Sequence, residues 1–97
     1  MYASVGTIRI KPGQVAAFTH TWATQIEPML NQSSTVVDLY ALVNAESHTV
    51  MIIHIYTDEA TALICEMSAP YQQLYAQLAH LVIFETVTQT GYTVIST

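Results

Sequence analysis

The hydrophobic periods of this chain predict an α+β domain of βαββαβ order, an antiparallel sheet with helices on one face. Three observations carry that prediction. First, runs of period two rich in β-branched and aromatic residues occupy residues 2–10, 35–56 and 84–95, and two stretches of period near 3.6 lie between them. Second, the 35–56 stretch breaks once, at Asn44 to Ser47, which makes it a β-hairpin. Third, the arm after that break is apolar on both faces. Val50, Ile52, His54 and Tyr56 alternate with Met51, Ile53 and Ile55, so both faces need cover.

Each element has its own local reason. In the strand Tyr2 to Ile10, Tyr2, Ile8 and Ile10 share one side, with Ala3 and Val5 on the other. Gly6 in its middle suggests a bulge or a close backbone approach. Lys11-Pro12-Gly13 ends the strand, and Pro12 suits the first turn of a helix. From Gln14 to Leu30 the residues Val15, Phe18, Trp22, Ile26, Met29 and Leu30 recur at gaps of three and four, one helical stripe. Pro28 should kink or loosen its last turn. Asn31 to Ser34 is the loop into the hairpin. Asp58 or Thr57 caps the next helix, with Glu59 at its positive end and Leu63 and Ile64 facing inward. Ser68 is a second N-cap with Pro70 in the first turn after it, and Tyr71, Leu74, Tyr75 and Leu78 form the following stripe. Phe84 to Ile95 is the last strand, with Gly91 dividing it as a bulge would.

Strand, helix, strand, strand, helices, strand is the split βαβ or ferredoxin-like order, and right-handed crossovers put both helical layers on one side. The back of the sheet is then bare. Two copies packed sheet to sheet would bury it through an interface above about 2,000 Å². Composition agrees. The chain has 97 residues, read as one domain over 1–97, a size at which a lone core is marginal. It holds one cysteine, Cys65, so no internal disulfide can help, and His20, His48, His54 and His80 lack zinc-ligand spacing. Hydrophobic residues make up 52% and charged residues 9%, against roughly 25% charged in an average domain, which favours an assembly that hides surface.

The net charge of −5, with Arg9 and Lys11 the only basic residues, argues against nucleic acid and against an anionic membrane surface as partners. No apolar run approaches the roughly 20 residues of a spanning helix. The N-terminus lacks the basic-then-apolar order of a signal peptide, so a cytoplasmic location is expected.

The segments IRIKPGQ (8–14), VVDLYALVN (36–44), IYTDEA (55–60) and SAPYQQLYAQL (68–78) resemble, in order and spacing, the antibiotic biosynthesis monooxygenase-like family. The resemblance spans nearly the whole chain, through short and permissive motifs. It implies a homodimeric α+β barrel of two ferredoxin-like protomers, each with a small cavity between sheet and helices. Some members oxidise aromatic polyketides or quinols without metal or flavin; others degrade haem, or isomerise or bind small metabolites. The family's functional residues carry over poorly. Where haem-degrading members have asparagine, tryptophan and histidine, this chain has Thr7, Cys65 and Tyr75. Where quinol-oxidising members carry histidines it has Cys65 and Pro70, and Tyr56 stands in place of their tryptophan.

The resemblance therefore implies a cofactor-independent monooxygenase acting on a small hydrophobic aromatic or quinol, with no bound cofactor. The alternative is a non-catalytic dimer that binds a small apolar or aromatic ligand. His54 is the candidate base. An imidazole between Ile52 and Tyr56 can take a phenolic proton before the anion meets dioxygen in a dry pocket. The structural alternative is a core or interface histidine paired with a hydroxyl. Trp22 can stack on a flat ligand or simply fill the core beside Phe18. Tyr40, Tyr56, Tyr71 and Tyr75 can line a pocket or pack; Tyr75 has the best functional claim, and a tyrosinate-ligated haem there is the minor alternative. Cys65, with no basic neighbour in sequence, reads as a small hydrophobe. Asp38 either marks an exposed edge or pairs with Arg9.

Overall fold

The computed structural model describes residues 1–32 and 36–96. Strands β1 (Tyr2–Ile10), β2 (Val36–Asn44), β3 (Thr49–Tyr56) and β4 (Val82–Thr93) form one sheet in the order β2-β3-β1-β4, every neighbouring pair antiparallel. Helices α1 (Val15–Thr21), α2 (Glu27–Asn31), α3 (Glu59–Glu66) and α4 (Ala69–Leu78) pack on one face of it. This is the ferredoxin-like α+β arrangement that the order of periods predicts. The start of the hairpin at Thr35 and the loop residues Ser33 and Ser34 lie outside the described residues.

Register divides the sheet into two faces. Toward the helices run two rows, Leu39–His54–Ser4–Gly91 and Ala41–Ile52–Gly6–Gln89. On the opposite face run Asp38–Ile55–Ala3–Tyr92, Tyr40–Ile53–Val5–Thr90 and Leu42–Met51–Thr7–Thr88. The helix-facing side holds the core, with Ile8, Ile10 and Val50 meeting Phe18, Trp22, Ile26, Leu74 and Leu78. Full burial of each such side chain stabilises by about 1.5–3 kcal/mol relative to leaving it in water.

The turn after β1 is closed by the Gln14 N–H donating to the Lys11 carbonyl at 3.0 Å. Pro12 and Gly13 take its central positions, and Gly13 has a φ of 77°, the combination of a type II turn. Pro28 acts one turn earlier than sequence alone suggests. It has no N–H for the Thr24 carbonyl, and its ring crowds that oxygen. Trp22–Ile26 is accordingly a π-helical turn, in which the Glu27 N–H reaches the Trp22 carbonyl five residues back. The widened turn keeps Trp22 and Ile26 both buried.

Asp58 caps α3 by accepting from the Thr61 N–H at 2.7 Å, and that bond holds its carboxyl below the usual range. The inward face of α3 differs from expectation. Ala62 is buried and Cys65 half-buried, whereas Leu63 and Ile64 point outward and are 53% and 73% exposed. A small residue lets the helix lie close to the strands it touches, β1 and β3, and that closeness sets which stripe faces in. Ser68 has the extended backbone of an N-cap, yet its hydroxyl donates to the Cys65 carbonyl at 2.6 Å rather than capping α4.

The irregularity in β4 falls elsewhere than at Gly91. Between Thr7 and Arg9 of β1 the partner jumps from Thr88 to Ile83. Thr86 stitches this bulge, its hydroxyl accepting from the Arg9 N–H at 2.9 Å and donating to the Ile83 carbonyl at 2.6 Å. Gly91 sits in the regular ladder opposite Ser4, and a Cβ there would overlap the Tyr2 ring. Gly6 likewise pairs regularly, with Ile52 and Gln89. Asp38 lies exposed on the edge strand, where it accepts from the Tyr40 hydroxyl at 2.6 Å and from the Leu39 N–H at 3.0 Å. Its partner is thus Tyr40 rather than Arg9.

Candidate functional site

The helix-facing rows thin out around His54. Its neighbour across β1 is Ser4, the adjoining row has Gly6, and Gly91 follows on β4. Ser4 and Gly6 leave a hollow between the sheet and α4, while the Tyr2 ring fills the space over Gly91. Two small cavities occupy it, of about 20 and 30 Å³, and both are bounded by Ile52, His54, Tyr71 and Tyr75. The first is otherwise apolar, lined by Trp22, Ile26, Leu30, Leu74 and Leu78. The second carries the polar groups, among them Ser4, Thr88 and Gln89. His54 and the two tyrosines form the partition between a greasy compartment and a polar one.

The partition is aromatic. The His54 ring stacks on Tyr56 at 5.8 Å between centroids and meets Tyr71 at 5.7 Å; Tyr71 and Tyr75 lie 5.3 Å apart, with hydroxyls 3.2 Å from each other. Two polar atoms are orphaned there. His54 Nε2 and the Tyr56 hydroxyl are buried with no hydrogen-bond partner among the described residues. Leaving such an atom unpaired costs about 1–3 kcal/mol, so neither belongs to an optimised core.

Electrostatics follow from burial. Desolvation lowers the His54 pKa from 6.5 to about 4, so the imidazole is neutral at physiological pH. Burial also pushes the Tyr56 and Tyr71 hydroxyls well above the ordinary phenol range, and Cys65, Glu66 and Tyr75 add to the rise at Tyr56. Tyr75 is raised by burial, with Glu66 adding to it and the bond from Tyr71 opposing it. All three phenols therefore stay protonated and act as neutral donors. Glu66 is held at this rim by Gln89, whose amide nitrogen donates at 2.9 Å to Glu66 Oε1 and at 2.9 Å to Ser4 Oγ.

Of the residues picked from sequence, His54, Trp22 and Tyr75 come together at this niche. Tyr56 is fully buried against the His54 ring but bounds neither cavity. Tyr40 is not brought in. It is 50% exposed on the opposite face of the sheet, because β2 places it in register with Ile53 rather than His54. Tyr71 proves more central than Tyr40, touching His54 directly. Ser4, Gly6, Glu66 and Gln89 escape sequence reasoning, since small residues and glutamine carry no motif. The alternation that puts Ser4 and Gly6 on one face of β1 was the available signal.

A wider surface groove of about 270 Å³ lies between the end of α2 and the α3–α4 junction, lined by Met29, Gln32, Cys65, Ser68 and Pro70 among others. Its floor is Leu30, Tyr71 and Leu74, three residues that also bound the apolar cavity. The groove and the apolar cavity thus share those three side chains.

No protein-family model matches the chain, and no curated protein matches its sequence. Solved structures do match. A Deinococcus radiodurans protein provisionally named an antibiotic biosynthesis monooxygenase superposes with a TM-score of 0.81 at 15% identity, over 100% of this chain and 95% of the other. A Nitrosomonas europaea protein of unknown function gives 0.82 at 23% identity, over 99% and 90%. A structure named simply as an antibiotic biosynthesis monooxygenase gives 0.78 at 13% identity, over 99% and 100%. Along its whole described length, the chain has the fold of the antibiotic biosynthesis monooxygenases.

Proposed function

We propose that this chain, as a single domain, is a monooxygenase-like protein that takes a small, flat, hydrophobic phenol or quinol into the niche at His54. The observation that carries the reading is the orphaned Nε2 of a neutral, buried histidine beside a largely apolar, aromatic hollow. In this reading Nε2 accepts the phenolic proton, and Trp22 and Tyr75 bracket the ring. The resulting anion is electron-rich enough to meet dioxygen without a cofactor. Proton transfer from a phenol of pKa near 10 to an imidazole near 4 is uphill by about 8 kcal/mol. Turnover at about 10 per second corresponds to a barrier of about 16 kcal/mol, so the transfer fits within it. Acidic quinols are favoured over simple phenols.

The size of the niche favours a second reading. Ligand sites commonly measure about 300–1,000 Å³. The two cavities at His54, of about 20 and 30 Å³, are each no larger than one or two water molecules need. In this closed form the oxygenase reading has no room for its substrate, and it requires the Leu30–Tyr71–Leu74 wall to open. Without opening, the chain is a binder of very small ligands or a filled relic.

Oxygen uptake with a panel of quinols and anthrones, comparing wild type with His54→Ala, decides between them. Uptake that falls at least tenfold in the variant supports the base; equal rates reject it. Trp22 fluorescence, titrated with the same panel, reports binding without turnover and identifies the second reading.

We also propose that two copies pack through the sheet face opposite the helices. Tyr40, Leu42, Met51 and Tyr92 are exposed there, with Ile53 and Ile55 half-buried among them. Light scattering should give twice the 10.7 kDa chain mass at micromolar concentration. A stable single copy sinks this part.

A further inference from the structure

We infer that Glu66, clasped by Gln89 at the polar end of the niche, is a specificity-determining residue that admits uncharged ring ligands and turns away those bearing a carboxylate. The inference rests on the niche being a ligand site, and it adds what that site selects.

The polar compartment is bounded by His54, Ser4, Gln89 and Tyr75. Gln89 spans its edge, one amide nitrogen joining Ser4 Oγ and Glu66 Oε1 at 2.9 Å each. Both donors of that nitrogen are thus spent. Ser4 is 4% exposed, so its hydroxyl is a buried group whose partner is this amide. Releasing Glu66 would leave one of those two donors without its acceptor. The bond from Gln89 fixes this half-buried side chain at the rim. Its influence reaches the niche, because Glu66 raises the hydroxyl pKa of Tyr56, Tyr71 and Tyr75 alike.

No basic side chain offsets it. The chain has two basic side chains, Arg9 and Lys11, and both are exposed at the far end of β1 and the turn beyond it. A ligand carboxylate in the polar compartment would meet a like charge across a partly desolvated gap, among neutral phenols, hydroxyls and an amide and with no basic side chain beside it. An uncharged hydroxyl meets no such repulsion, and it can donate to the unpartnered His54 Nε2. The ligand class is a neutral hydroxy-aromatic.

Equilibrium titration at pH 7.5, followed by Trp22 fluorescence, tests this with 4-methylphenol and 4-hydroxybenzoate as probes. Wild type is expected to bind the neutral probe at least tenfold more tightly. In Glu66→Gln the ratio should shrink about tenfold, mostly through tighter binding of 4-hydroxybenzoate, with 4-methylphenol little changed. Gln89→Met, which frees Glu66 to swing outward, should shrink it in the same direction. Circular dichroism confirms that both variants fold. An unchanged ratio in both variants, with the neutral probe still bound, overturns the role of Glu66 and leaves the ligand site standing. If neither probe binds wild type, the ligand site itself is rejected, and this inference with it.

Discussion

The acid limb of stability should be dominated by one residue. His54 is 4% exposed, with a pKa of about 4 in the folded chain against about 6.5 unfolded. Because the folded value is the lower one, the unfolded state takes up the proton first as pH falls. Stability is fully present above about pH 7 and declines through the window from 6.5 to 4. At pH 5 the linkage integral amounts to about 2 kcal/mol, rising to about 3 kcal/mol below pH 4. That is a large share of the roughly 5–15 kcal/mol that holds a domain together. The assay is urea unfolding at pH 8 and pH 5, at one fixed chain concentration, for wild type and His54→Leu. Leucine matches the volume and carries no proton, so the difference between the two proteins cancels every other titrating group. Wild type should lose about 2 kcal/mol more than the variant between the two pH values. Identical losses would show that His54 is solvated or charge-paired, and the dry niche would have to be given up.

Three smaller perturbations probe the local geometry. Gly6→Ala adds a methyl facing the hollow, where its nearest neighbour is the Thr88 carbonyl at an ordinary 3.5 Å; it should stabilise the strand by about 0.5–1 kcal/mol while weakening binding of 4-methylphenol, and unaltered binding would remove Gly6 from the site. Gly91→Ala forces the Tyr2 ring aside and should cost about 1 kcal/mol by thermal unfolding, a cost that vanishes in the Tyr2→Ala background. His48 closes the β2–β3 hairpin at a φ of 54°, so His48→Asn should raise stability by about 0.5 kcal/mol; a loss of stability would mean the imidazole makes a contact that outweighs its backbone strain.

The fold was legible because its signals are periodic. The alternation of Val50, Ile52, His54 and Tyr56 with Met51, Ile53 and Ile55 identified β3, and the observed register keeps that division of faces. The stripe from Val15 to Leu30 identified the first helical layer despite the π-helical turn, since the widened turn leaves the buried set intact. Errors arose where close approach decides orientation. Ala62 faces in and Leu63 and Ile64 face out, because side-chain size at the contact outweighs hydrophobicity in placing α3. The site was half legible. A lone histidine among apolar residues announced His54, the flat indole offered Trp22 as a stacking surface although its helical spacing also suited the core, and the family resemblance singled out Tyr75. Tyr40 misled because its face is set by the hairpin register that pairs Asn44 with Thr49 and hence Tyr40 with Ile53, a register the polar break between the two arms does not state. Glu66 and Gln89 meet across 23 positions of sequence, a distance that only tertiary structure closes.

What remains is energetic, namely how a niche with room for little more than water admits a ring. Tyr71 is the natural door, shared by the surface groove and both cavities. Moving it breaks one hydroxyl pair with Tyr75, worth about 1 kcal/mol, and exposes part of a buried ring at about 2 kcal/mol more. An opening that costs about 3 kcal/mol leaves the open form below about 1% and weakens apparent affinity more than a hundredfold. A ring that buries about 150 Å² of apolar surface recovers about 4 kcal/mol, enough to offset the opening with little to spare. Binding that must first open this wall should therefore be weak and selective for ligands that also satisfy His54 Nε2. The orphaned nitrogen is what makes the difference, since pairing it returns the cost of having buried it unpaired. A greasy ring alone can pry the wall open only to break even; a ring with a hydroxyl placed at His54 gains enough to stay.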